Sequence, residues 1–250
     1  LSGVGELQEE LYSAGIEYFS LPQFQAKKGV IRNLMNIRKL IKTIKPNLIH
    51  THQFASDFYG SLGAFGLHVP IVSHIHNIDL EFVPQRVLRF FLNTFFVSAF
   101  IPTTEEKFKS LHKKYPHKKT FLLYNAFDPK NLSLPDGFDK NQFRESLSIP
   151  QGNKIIGSVG RLSWEKGYDL LINAFKKVTD KVPHVSLLLV GGGPEIEKLK
   201  TLVHELNIEK SVFFVGYQKN VASFLSLFDI FVVSSRFESF SLSVIESFFI

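Results

Sequence analysis

The chain has 250 residues, 44% hydrophobic and 21% charged, enough for one large domain or two ordinary ones. It contains no cysteine, which excludes disulfides and thiolate metal sites and suits a reducing compartment. No apolar run reaches the ~18 residues of a membrane span, and the formal net charge of +6 points to anionic partners.

Three partners carry negative charge: nucleic acid, anionic lipid and a phosphorylated small molecule. No RNP-type, zinc-finger or helix-turn-helix signature supports the first. The first residue is Leu1, the only methionine is Met35, and the chain ends at Ile250 inside an apolar pattern, so a fragment open at both ends is expected.

In chain order, spacing predicts a helix over 6–14 stopped by Gly15 and a short strand over 16–19. An amphipathic helix follows over 27–45, with Val30, Leu34, Ile37, Ile41 and Ile44 on one face, closed by Pro46. A buried strand over 47–52 leads to a helix over 56–65, a strand over 71–76 and a helix over 84–92. Strands over 95–101 and 120–124 flank a helix over 104–114, which Thr103 or Thr104 can cap.

A turn-rich connection runs over 125–137, with Pro129, Pro135 and Gly137, and the domain boundary is set there, giving domains 1–130 and 131–250. Helices are then predicted over 139–147, 169–178, 194–206, 220–227 and 242–250. Strands are predicted over 154–160, 185–190, 211–215 and 229–233. Strands alternate with helices throughout, so each half reads as a parallel α/β sheet.

Residues 234–247 read SSRFESFSLSVIES and hold two carboxylates, Glu238 and Glu246, eight positions apart. Glu238 falls on a strand-to-helix loop, where open parallel sheets bind ligands, and Glu246 about two turns into the next helix. Ser239, Ser241 and Ser243 are small enough to let a ligand approach the N-terminus of that helix, whose free N–H groups favour anions. Two solvated glutamates are the plain alternative.

Residues 155–167 read IIGSVGRLSWEKG, and place Gly160, Arg161 and Lys166 on one strand-end loop. Two cations beside glycines suit a diphosphate, Arg as a bidentate donor and Lys as a compact charge. Residues 187–194 read LLLVGGGP, where Gly191 and its neighbours would bring backbone N–H groups to a ligand. Neither loop has the GxGxxG spacing of a dinucleotide site, and no Walker pattern occurs.

Taken in order, GRLSWEKGYDLLINAF, LLLVGGGP, VFFVGY and FDIFVVSSRFESFSLSVIES resemble the retaining GT-B glycosyltransferases of family 4. The resemblance is dense over 154–250 and looser before, through IKPNLIHTH, VPIVSHIHN and YNAFD. It implies two Rossmann-like parallel-sheet domains facing a cleft, both incomplete at their outer ends, the first on the acceptor side and the second binding the donor. It implies that Arg161 and Lys166 grip the donor diphosphate, that Glu238 acts at the donor sugar and that Glu246 holds the ribose. Gly160, Gly191, Gly216, Tyr217, Phe240, Ser241 and Leu242 fall in the loops around base and phosphates. Many relatives carry glycines where this chain has Ser239 and Ser241.

The resemblance further implies a hexosyltransferase that moves a sugar, UDP-linked as the first expectation, to a glycan or lipid-linked acceptor with retention. By analogy the pathway is bacterial envelope polysaccharide or lipopolysaccharide synthesis, in the cytoplasm or peripherally at the inner membrane face. No metal cofactor is expected: there is no Asp-x-Asp motif, and Arg161, Lys166 and helix N–H groups can stabilise the leaving phosphate. A nucleotide-sugar epimerase or hydrolase of the same fold, and a non-catalytic sugar-nucleotide or membrane-surface binding module, are the alternatives. Nucleic acid is not an expected partner.

His50 and His52 end one predicted strand, and His74 and His76 the next. Residues two apart share one side of a strand, so four imidazoles can line a cleft, with His76 acting at the reaction centre and His50, His52 and Asn77 on the acceptor side. Zinc binding and histidines satisfied by backbone are the other readings. The run RVLRFFLNTFFVSAF over 86–100 is aromatic and basic, a candidate contact with anionic membrane, although core packing of its phenylalanines is the simpler reading.

Overall fold

The computed structural model describes residues 8–19, 29–76, 83–238 and 240–250, and the chain divides into two units between Tyr124 and Asn125. That division lies at the start of the turn-rich connection. The N-terminal unit runs α1 (Gln8–Ser13), α2 (Val30–Ile44), β1 (Ile49–His52), α3 (Gln53–Gly63), β2 (Ile71–Ile75), α4 (Val83–Phe95), β3 (Val97–Pro102), α5 (Glu105–Lys114) and β4 (Lys119–Thr120). Its sheet has the order β1-β2-β3-β4, with every pair parallel. Ile71, Ile75, Val97 and Phe100 of the sheet pack with Ile41 of α2, Leu111 of α5 and Tyr115, removing a continuous apolar surface from water.

Local signals act where expected. Thr104 caps α5 by accepting from the Lys107 N–H, with Glu105 and Glu106 in the first turn and His112, Lys113 and Lys114 in the last, matching the helix dipole. Other expectations fail for tertiary reasons. Residues 16–19 pair with no strand among the described residues, and Ile16 and Phe19 are exposed. β1 is not buried throughout: its His50 and His52 face solvent, and only Thr51 is enclosed. In α2 the middle of the apolar stripe, at Ile37 and Ile41, meets the core, while Val30 and Ile44 are exposed. Phe90, Phe91 and Phe95 of α4 stand exposed, so they do not form the core; Phe100 does.

The C-terminal end of α4 is held by one side chain. The Lys118 ammonium donates to the carbonyl oxygens of Asn93, Thr94 and Val97 at 2.5, 2.7 and 2.6 Å. The Asn93 and Thr94 carbonyls belong to the last turn of α4, where a helix leaves them without internal partners, while Val97 opens β3; burial pushes the Lys118 amine down from its ordinary pKa.

The C-terminal unit runs α6 (Lys140–Ser146), β5 (Lys154–Val159), α7 (Tyr168–Thr179), β6 (Val185–Val190), α8 (Ile196–Glu205), β7 (Val212–Phe214), α9 (Ala222–Leu225), β8 (Ile230–Phe231) and α10 (Leu242–Ser247). β6 explains its own composition. Leu187 and Leu189 meet α7 and α8 on one side, through Ile172, Phe175, Leu199 and Val203. Leu188 and Val190 meet Ile155, Phe224 and Leu227 on the other. A parallel strand covered on both faces has no place for a polar residue larger than serine, hence VSLLLV.

The strand order is β7-β6-β5-β8. From β5 the chain moves outward to β6 and β7, then returns to pair β8 with the opposite edge of β5. The loops leaving the carboxyl ends of β5 and β8 therefore lie side by side at the point where the strand order reverses, the place where open parallel sheets bind ligands.

Replacing Lys118 by Met should lower stability by about 2 kcal/mol, since hydrogen bonds from a charged donor contribute roughly 1.5–3 kcal/mol each and water replaces part of them. Urea denaturation checks this.

Candidate functional site

The loops after β5 and β8 are fastened to each other. Ser234 Oγ donates to the Lys166 carbonyl at 2.9 Å, and the Arg236 N–H donates to the Glu165 carbonyl at 2.8 Å. The Arg236 guanidinium grips both oxygens of Asp169 at 2.7 and 2.6 Å, donates to the Trp164 carbonyl at 2.9 Å and lies 5.1 Å over the Trp164 ring. The bidentate contact holds the Asp169 carboxyl below the usual carboxylate range. Gly167 permits the approach: its φ is 65°, and a Cβ there would lie 2.2 Å from the Ser234 carbonyl oxygen.

This clamp sets Lys166 against Glu238. Nζ lies 2.6 Å from Oε2, and Ser235 Oγ donates to the same oxygen at 3.1 Å. The two side chains are 29% and 27% exposed, enclosed enough to be oriented and open enough to meet a ligand. Ser158, Tyr168, Ser234 and Ser235 complete a polar hollow of about 10 Å³ around them, the room of roughly one water molecule.

Arg161 stands exposed on the same loop and makes no hydrogen bond or ion pair among the described residues. Glu165, between the two cations, is held below its ordinary pKa first by the Ser163 hydroxyl and further by the charges of Arg161 and Lys166. Glu246 is half-buried in α10; its carboxylate has no hydrogen bond or ion pair among the described residues, and burial pushes its pKa up. α10 spans only Leu242–Ser247, so Glu246 lies near its C-terminal end rather than two turns into a longer helix. Six residues make a weak dipole, which leaves anion attraction here to the cations. Ser241 Oγ lies 3.0 Å from Ser243 Oγ, Phe240 is half-buried, Leu242 is exposed, and Ser239 lies outside the described residues.

Gly191 serves backbone packing. The Gly191 N–H donates to the Gly216 carbonyl at 2.8 Å, so that donor is already bound. A Cβ on Gly191 would lie 1.9 Å from the Gly160 carbonyl oxygen, so the loops after β5 and β6 pass at a distance that admits no side chain. Tyr217, next to Gly216, is 70% exposed. Arg236, Asp169 and Ser235 were not singled out from sequence. Their signal, a cation beside Glu238 and an acid three residues after Lys166, gives no indication that the two loops touch.

In the N-terminal unit His52 and His74 are register partners, and His50 and His76 lie on the same side of the sheet. The neighbouring rings sit 4.1–5.3 Å apart, and His52 Nδ1 lies 2.8 Å from His76 Nε2. His74 is 8% exposed and neither ring nitrogen has a hydrogen-bond partner, so it is not satisfied by backbone. Burial first, then the adjacent imidazoles, lower its pKa from 6.5 to about 4, and burial also lowers His50 and His52. Nitrogens of His50, His52 and His74 lie within 4.8 Å of one another, a set that could serve a metal ion or the hydroxyls of a polyol. Asn77 lies outside the described residues.

Stability tied to His74 should be complete above pH 6.5 and be lost as the pH falls toward about 4, because the unfolded chain takes up this proton first. Denaturation at a series of pH values should show that slope, and His74→Gln should flatten it.

Residues 139–249 match the family model described as Glycosyl transferases group 1, and residues 2–131 that of Glycosyltransferase Family 4. An uncharacterized glycosyltransferase of Methanocaldococcus jannaschii is 26% identical over 234 residues, which cover 87% of this chain and 57% of that one. The UDP-Gal:alpha-D-GlcNAc-diphosphoundecaprenol alpha-1,3-galactosyltransferase of Escherichia coli is 23% identical over 232 residues, covering 87% of this chain and 59% of that one. The chain thus spans little more than half the length of these relatives. Among solved structures, Anabaena HepE in complex with UDP and glucose has a TM-score of 0.81 at 21% identity, covering 99% of this chain and 69% of that one. With two parallel-sheet units of this likeness and a family model over more than half its residues, the chain has the GT-B fold and belongs to glycosyltransferase family 4.

Proposed function

We propose that the C-terminal unit binds a nucleotide-diphosphate sugar, UDP-linked, and that the protein transfers the sugar to a glycan or lipid-linked acceptor with retention of configuration. The observation that carries this is the Lys166–Glu238 contact at the point where the strand order reverses. An ammonium has three donors; Glu238 takes one, and the others suit a phosphate oxygen. Arg161 supplies a second cation from the same loop. Glu238 accepts Lys166 and Ser235 on one oxygen, which leaves the other to accept from sugar hydroxyls. Glu246 would take the ribose hydroxyls, and the backbone at Gly160, Gly191, Gly216 and Tyr217, with Phe240, Ser241 and Leu242, would shape the space for base and phosphates.

In the reaction the bond from the anomeric carbon to the diphosphate oxygen breaks, and the acceptor oxygen bonds to the same face. The acceptor proton passes to the departing phosphate oxygen. Negative charge grows on the diphosphate, where Lys166 and Arg161 act as preorganised cations, so the chain's own residues supply the stabilisation without a metal ion. His76 and His52, joined ring to ring, would orient the acceptor or donor sugar, and His50 would extend that surface.

A lipid-linked acceptor in bacterial envelope glycan synthesis is supported by the E. coli relative, whose name places its substrate on diphosphoundecaprenol. No helix among the described residues is long and apolar enough to cross a membrane. The exposed Val87, Phe90, Phe91 and Phe95 beside Arg86 support peripheral contact with an anionic bilayer at its cytoplasmic face.

Incubation with UDP-, GDP- and ADP-sugars plus acceptor glycolipid extract tests the reading. Transfer should persist in EDTA and retain the anomeric configuration by NMR. Loss of activity in EDTA that Mg²⁺ or Mn²⁺ restores, or an inverted product, contradicts it. Interconversion of donors indicates an epimerase, and sugar release without acceptor a hydrolase. Arg161→Ala should lower kcat/KM by about 100-fold, as loss of one transition-state donor does. Glu246→Gln should weaken donor binding about tenfold while leaving thermal stability equal or higher, because it removes the charge of a half-buried carboxylate that has no hydrogen bond or ion pair among the described residues.

A further inference from the structure

We infer that His50, His52 and His74 form a binding site for a divalent transition-metal ion, Zn²⁺ first, on the N-terminal unit. β1 and β2 run parallel with His52 opposite His74, and His50, two residues before His52, projects from the same face. The side chains converge: one nitrogen from each ring lies within 4.8 Å of those of the other two. In a tetrahedral zinc site, with Zn–N bonds of about 2.0–2.1 Å, such nitrogens lie roughly 3.3–3.4 Å apart. A turn of His50 closes the difference. Its plane lies within 5° of that of His74, and imidazole lone pairs lie in the ring plane, so it must turn to share an ion. It is exposed and makes no hydrogen bond or ion pair among the described residues, so nothing opposes that turn.

His74 supplies a second observation. Its side chain is buried, and neither Nδ1 nor Nε2 has a hydrogen-bond partner. Buried polar atoms are rarely left so. One of these two nitrogens is the atom that His74 contributes to the cluster, so an ion held there would engage it. His52 is already braced. Its Nδ1 lies 2.8 Å from His76 Nε2, and in the tautomer where Nδ1–H donates, Nε2 of His52 carries the free lone pair. Ligating histidines commonly have such a partner on the other ring nitrogen, which fixes tautomer and orientation.

The donor set selects the metal. Three imidazoles, with no carboxylate or thiol in the set among the described residues, suit Zn²⁺, Ni²⁺ or Cu²⁺, whereas Mg²⁺ and Ca²⁺ take oxygen ligands. Three protein ligands leave a fourth position for water or a hydroxyl. The ion would tie β1 to β2 and so stabilise the unit that carries them. It has no part in the charge stabilisation proposed for Lys166 and Arg161, which is why transfer is still expected to persist in EDTA.

The test is isothermal titration of ZnCl₂ into the full chain, without a polyhistidine tag, after dialysis against EDTA and then chelator-free buffer. One ion should bind saturably, and Tm should rise with Zn²⁺ but not with Mg²⁺. Co²⁺ in place of Zn²⁺ should give the visible absorption of a tetrahedral, nitrogen-ligated ion. His50→Ala/His52→Ala should weaken binding by at least about 100-fold, beyond the roughly 10–100-fold that loss of a supporting partner alone costs, and abolish the rise in Tm. Both replaced side chains are exposed, and circular dichroism checks that the variant folds. No Zn²⁺ binding to the unmodified chain overturns the site and leaves these nitrogens to water. Binding unchanged in the double variant overturns it by placing the ion elsewhere. Equal binding of Mg²⁺ overturns it as well, since that ion is held through oxygen.

Discussion

The proposed donor site depends on the return of β8 to the free edge of β5. That crossing places two loops, from distant parts of the chain, at one crevice of the sheet. The Arg236–Asp169 grip then fixes the loops relative to each other, and Lys166 and Glu238 meet as a consequence. Neither residue alone distinguishes a site from solvated surface. The pair, partly enclosed and braced by Ser235, sets a cation and a carboxylate at one place, which is what the proposed sugar-diphosphate donor requires.

The sequence showed what is determined locally. The Thr104 cap, the stop after α2 and the strand at β6 all follow from residues within a few positions of each other. The charged residues proposed for the site could be picked out on each loop as well, because a cation beside glycines and a carboxylate after an apolar strand are local patterns. The Arg236–Asp169 clamp was not legible, since it joins residues 67 positions apart and its members look like ordinary surface charges. The segment at 16–19 has strand composition but no partner strand among the described residues. The run over 86–100 is apolar around more than one side of its helix, so hydrophobicity could not say which phenylalanines would be covered.

The glycine-rich loop teaches a related lesson. Its composition suggested backbone donors offered to a ligand, but the Gly191 donor is bound to Gly216, and the missing side chain is needed where the backbone of Gly160 passes. Glycine there keeps neighbouring strand-end loops close, which shapes the crevice indirectly. In the N-terminal unit the same sheet-end geometry gathers four imidazoles at the ends of β1 and β2.

The central claim is that Lys166, positioned by this clamp, holds the diphosphate of a nucleotide donor. Thermal unfolding with and without UDP tests it most directly. At about a hundred times its dissociation constant, a ligand adds roughly 2.7 kcal/mol to the stability of the state that binds it. The account predicts a rise in Tm with UDP that is lost in Lys166→Ala. A rise of equal size in both chains would contradict it, because the nucleotide would then be held without the lysine.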